Sequence, residues 1–181
     1  MATRIVKRVD AGGTESTMSG DFAVGDVVVY ASHGIGRVES TKTAGEATQL
    51  ITLSFAGGLT VTLPLARAVE ALRPLSSERD LETVRTTLCA ATDAQAEPWS
   101  RRYRRTREKV TSGAVAGLAE VVRDGVHREQ SQAANGGSTA PSDRQLYLQA
   151  RGLLIAEIAL CRGIEPAAAE AWILEQVGTE S

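Results

Sequence analysis

The chain has 181 residues, 43% of them hydrophobic and 23% charged, values that exclude a disordered protein. That length suffices for one ordinary domain or two small ones. A formal net charge of −2 implies weak binding to free nucleic acid, where most affinity comes from neutralised phosphates.

No apolar run approaches the roughly 18 residues that span a bilayer. The start, MATRIVKRVDAGGTESTMSGD, has basic residues but no apolar stretch after them, unlike a signal peptide. A cytoplasmic location is therefore expected. Cys89 and Cys161 fall in helical patterns far apart in sequence and read as buried thiols in a reduced compartment.

Residues 1–20 are polar, rich in Gly, Ser and Thr, and read as a disordered tail. Order begins near Phe22. Over 21–73 the chain reads as a β module. FAVGDVVVYASHGIGRVES predicts two strands around a turn, with Val27–Tyr30 suited to a pleated, packed surface. In TQLITLSFAGGLTVTLP, Ile51, Leu53 and Phe55 alternate with Thr52 and Ser54. Gly57-Gly58 is a hairpin turn, and Pro64 ends the following strand. AVEALRP supplies a fifth short strand. Several short strands closely spaced suggest a small barrel or twisted sheet.

From residue 76 to 179 the period changes to that of helices. Leu81, Val84 and Leu88 share one helical face, with Ser77 as N-cap. PWSRRYRRTREKVTSG forms a second helix, with Pro98 in its first turn and Gly113 at its C-cap. AVAGLAEVVRDGVHREQ is a third, and SQAANGGSTAPSD a loop. Ser142 and Gln145 make a capping box for a fourth helix, whose stripe of Leu146, Ala150, Leu154 and Ile158 ends at Gly163. PAAAEAWILEQV is a fifth. The fold class is thus α+β: a small β module, then an all-α bundle.

Residues 97–109, EPWSRRYRRTREK, hold five arginines and one lysine. On a helical wheel Trp99, Tyr103, Thr106 and Val110 share a sector, and the bases fill most of the rest. Two readings follow. In one, Trp99 and Tyr103 are core and the arginines a solvated face. In the other, Trp99 projects past the helix start beside a basic patch, a chemistry suited to phosphates and to wedging a base step. Against the first, Glu108 is the only acid between Arg101 and Lys109, whereas solvated faces usually mix signs.

EPWSRRYRRTREKVTSGAVAGLAEVVRD, with VGDVVVYASHGIGRVES and LTVTLP, resembles the CarD/CdnL family of bacterial regulators that bind RNA polymerase. The VGD-x-VVY…HG-x-G pattern is shared with the polymerase-interacting domain of the transcription-repair coupling factor. The resemblance implies a Tudor-like β barrel that docks on the polymerase β subunit, followed by a helical domain that contacts promoter DNA. It implies a wedge at Trp99 in the minor groove, DNA contacts from Arg101, Arg102, Arg104 and Arg105, and stabilisation of the open complex. Polymerase contacts fall on Thr60, Thr62 and Pro64. The chain departs from the family at Ala31, where Pro is usual, and at Thr62, where Arg is common.

No other chemistry competes. His33 and His127 lack partners at metal-ligand spacing, no nucleophile has an evident base, and Gly34-x-Gly36 lacks a following helix. No cofactor, metal or enzymatic activity is expected, and the protein is expected to be a monomer. The alternative function is an adaptor whose β module binds a different partner and whose Trp99 is buried in the bundle.

Overall fold

The computed structural model describes residues 5–7, 17–19, 22–44, 48–92, 97–135 and 140–178. Two compact units divide it, Met1–Leu75 and Ser76–Ser181.

In the first unit, strands β1 (Ile5–Lys7) and β2 (Thr17–Ser19) pair antiparallel, so part of the stretch read as a disordered tail carries backbone pairing. Strands β3 (Val27–Tyr30), β4 (Gly34–Ala44), β5 (Thr48–Phe55), β6 (Thr60–Pro64) and β7 (Leu72–Pro74) form an antiparallel sheet. Its order is β6-β5-β4-β3-β7, which leaves β6 and β7 at the edges. The long β4 pairs with β3 through its first residues and with β5 along most of its length, with a register shift between Val38 and Ser40. Such a shift bends and twists a strand, which helps a small sheet coil around its core.

Alternation decides the faces. Ile51, Leu53, Phe55 and Leu63 are buried with Val28, Val38 and Leu72. On the outer face the Thr52 and Thr62 hydroxyls hydrogen-bond across β5 and β6 at 3.0 Å. Gly36 is required where it stands, because a Cβ there would lie 2.7 Å from the Phe55 ring. Gly57 and Gly58 both have φ of +81°, which the turn between β5 and β6 needs.

Two expectations change here. AVEALRP is not all strand. Leu65–Ala71 forms helix α1, and only Leu72–Pro74 extends. Leu65, Ala68 and Leu72 fall at helical spacing and all face the core. Ala31 has a φ of +32°. Proline locks φ near −65°, so the absence of the family's usual Pro accompanies a turn that Pro could not make.

The second unit holds α2 (Glu78–Cys89), α3 (Trp99–Ser112), α4 (Val115–Ala134), α5 (Pro141–Arg162) and α6 (Pro166–Gly178). Leu81, Val84 and Leu88 of α2 meet Leu118 and Val122 of α4, Leu154 and Ile158 of α5, and Ile173 of α6. Ser77 caps α2 in a capping box closed by Asp80. Gly113 and Gly163 end α3 and α5 in left-handed geometry. Inside α4, Gly125 makes room for the Tyr147 ring; a Cβ would approach it to 2.2 Å.

The expected box at Ser142 and Gln145 does not form. Helix α5 starts at Pro141 with Ala140 as N-cap, since Pro is preorganised for the first helical position. Helix α4 runs to Ala134, beyond its expected end, because Ser131–Ala134 are compatible with a helix. The rest of that loop over 136–139, and the turn at 45–47, lie outside the described residues. Cys89 and Cys161 are partly exposed rather than buried, and Cys161 donates to the Ser76 carbonyl at 3.2 Å. No described helix is long and apolar enough to cross a membrane.

Candidate nucleic-acid interface

Helix α3 packs against α4 and α5 but gives the core one buried side chain, Val110. It begins after Pro98, with no side-chain cap and no acid in its first turn. Trp99 opens it and is 49% exposed. Its ring stacks on Tyr103, with centroids 5.4 Å apart and planes 20° from parallel. The expectation of a Trp99 buried in the bundle is corrected. The face of α3 that meets the bundle runs through Arg102, Thr106, Lys109 and Val110, and Trp99 and Tyr103 lie at its margin.

The bases of α3 differ in what they touch. Arg102 is turned inward. Its guanidinium meets Asp143 of α5 at 3.2 Å, with side-chain exposures of 19% and 7%. Arg128 of α4 belongs to the same cluster. Its proton affinity is lowered first by burial and then by the Arg102 charge, and Asp143 and Asp124 oppose that shift. Arg105 reaches Glu97 at 2.9 Å, and Lys109 pairs with Glu120 of α4. Arg101, Arg104 and Arg107 are exposed and form no ion pair among the described residues. The acid Glu108 is exposed as well and pairs with none of them.

Arg101, Arg105 and Lys109 also border a groove of about 400 Å³, together with Glu120, Arg123 and Asp124. Arg123 and Asp124 pair at 2.7 Å, and Asp124 accepts from Thr92 at 2.8 Å. That groove is therefore a mixed, largely self-neutralised surface. Among the described residues no three His, Cys, Asp or Glu side chains gather where they could hold a metal ion.

Of the residues expected to face DNA, the structure sets Trp99, Arg101 and Arg104 outward, holds Arg105 half-exposed against Glu97, and commits Arg102 to Asp143. Arg107 joins the exposed set without having been singled out. Periodicity could have found it, because it lies one turn beyond Tyr103 on the same side of the helix. In the β unit, Thr60, Thr62 and Pro64 are exposed on the edge strand β6, which carries no charge.

Comparison with known proteins agrees with this architecture. The CarD-like/TRCF RID domain matches residues 22–76, and the CarD C-terminal domain matches residues 83–174. The chain is 26% identical over 148 residues to a protein of Bacillus subtilis (strain 168) named "Putative transcription factor YdeB", a match covering 79% of this chain and 94% of that one. With an α+β chain of Tudor-like sheet and helical bundle, matched in both parts, the protein belongs to the CarD family of transcription regulators.

Proposed function

We propose that this regulator acts at transcription initiation. It docks on the RNA polymerase β subunit through the β unit and stabilises the open promoter complex through α3. The observation that carries this reading is Trp99, half-exposed on the first turn of a helix whose outward side bears the unpaired Arg101, Arg104 and Arg107.

An apolar ring at a helix start can enter the minor groove and prop open a base step, at a cost of a few kcal/mol. The cost is lower where DNA is already opening. A factor shifts an equilibrium only by its differential affinity for the two states, so such a wedge favours the melted one. Three free arginines on a net-acidic chain give weak affinity for free DNA. Docking supplies the remainder by raising effective concentration, on the order of mM for a well-matched tether. The uncharged edge strand β6 suits docking by strand addition, in which backbone hydrogen bonds carry the affinity.

The test is the lifetime of open complexes on the cognate polymerase, without factor, with wild type and with Trp99→Ala. Wild type should lengthen the lifetime, and Trp99→Ala should lose most of the gain while still binding polymerase. A wild-type protein that neither binds polymerase nor changes the lifetime would overturn the proposal.

A further inference from the structure

The bases of α3 sort into two flanks. At about 100° per residue, with Trp99 at zero, Tyr103 falls near 40°, Arg107 near 80° and Arg104 near 140°. No acid of α3 lies in that sector; Glu108 comes at about 180°. On the opposite flank Arg105 near 240°, Lys109 near 280° and Arg102 near 300° are each held by a carboxylate, from Glu97, Glu120 and Asp143 in turn.

We propose that the DNA track of α3 is the unpaired flank, and that Arg107 is a phosphate-binding residue at its far end, while Arg102 and Arg105 lie outside the track. The inference rests on the proposed function above and deepens it.

A guanidinium already paired must release its carboxylate to take a phosphate, and the released carboxylate then repels the strand. Arg104 and Arg107 carry neither penalty. Spacing supports the same flank. Arg107 is eight residues beyond Trp99, or about 12 Å along the axis at 1.5 Å per residue. A strand presents a phosphate about every 3.4 Å along the duplex, so that span covers roughly three to four base steps. With Trp99 at the opening step, Arg104 meets the backbone about two steps into the duplex and Arg107 about two steps further. Tyr103 fills the gap between the wedge and the arginines.

The experiment measures affinity for fork-junction promoter DNA on the polymerase-bound, full-length protein across a salt series. Each neutralised phosphate contributes about 0.9 to the slope of log K against log[salt]. Arg107→Ala should flatten the slope by about one phosphate and weaken binding several-fold at low salt, and Arg107→Lys should restore the slope. Arg105→Ala should leave the slope at the wild-type value. A wild-type slope in Arg107→Ala, or an equal loss in Arg105→Ala, overturns the track. Trp99→Ala, run in parallel on open-complex lifetime, separates the two levels. If it loses the lifetime gain while Arg107→Ala keeps the full slope, only the track fails. If wild type shows no DNA contact on polymerase, the proposed function fails and the track with it.

Discussion

Asp143→Ala removes the carboxylate that holds Arg102, and the cost follows from what remains. The Arg102 guanidinium stays between α3 and α5, close enough to Arg128 to lower its proton affinity, with the compensating charge gone. Removing one partner of a buried pair costs about 3–5 kcal/mol. Arg102 keeps part of its surface in water, which places the expected loss nearer about 2–3 kcal/mol. Replacing both partners, Arg102→Met with Asp143→Leu, strands no charge and should cost less than Asp143→Ala alone. Urea unfolding followed by tryptophan emission is the suitable assay. The chain has two tryptophans, Trp99 and Trp172, and both lie in the helical unit. A stability for Asp143→Ala within about 0.5 kcal/mol of wild type would refute the reasoning, because the pair would then be well solvated and Arg102 as available as Arg104.

Trp99→Ala should change the stability of the helical unit by no more than about 1 kcal/mol, since it loses a half-exposed ring and one aromatic stack; urea midpoints check this. Gly125→Ala should destabilise by about 1–3 kcal/mol despite better helix propensity, because the new methyl collides with the buried Tyr147 ring; a thermal melt reads the shift. Burial raises the Tyr147 phenol above its ordinary value. The folded state then holds that proton more tightly than the unfolded chain, so stability falls as pH rises past the unfolded value of about 10. In Tyr147→Phe that alkaline loss should be shallower, which urea midpoints compared at about pH 8 and about pH 11 will show.

Much of the fold was legible because its signals are local. The alternation Ile51, Leu53, Phe55 named the core face of β5, and Ser77 with Leu81, Val84 and Leu88 named the start and buried side of α2. AVEALRP misled because a short apolar run fits either period, and only packing of Leu65 and Ala68 on the sheet decides between them. Trp99 was undecidable from the wheel. A wheel orders side chains around an axis without saying where the bundle lies, and here the bundle lies toward Arg102 and Lys109. The pairing of Arg102 with Asp143 joins residues 41 apart on different helices, so no local spacing could announce it. What looked like one arginine patch is therefore two populations, separable only by tertiary partners.

Helix α3 buries one side chain, where each of the other four helices in its unit buries at least three. Segments with few apolar contacts open at a lower free energy than the whole domain. Backbone amides of α3 should therefore exchange with solvent through local opening, while those of α5 wait for global unfolding. A nucleic-acid strand seated on α3 would close that gap from outside, slowing exchange along this helix and leaving its neighbours as they were. The helix so weakly rooted in the bundle thus becomes a built-in gauge of its own occupancy.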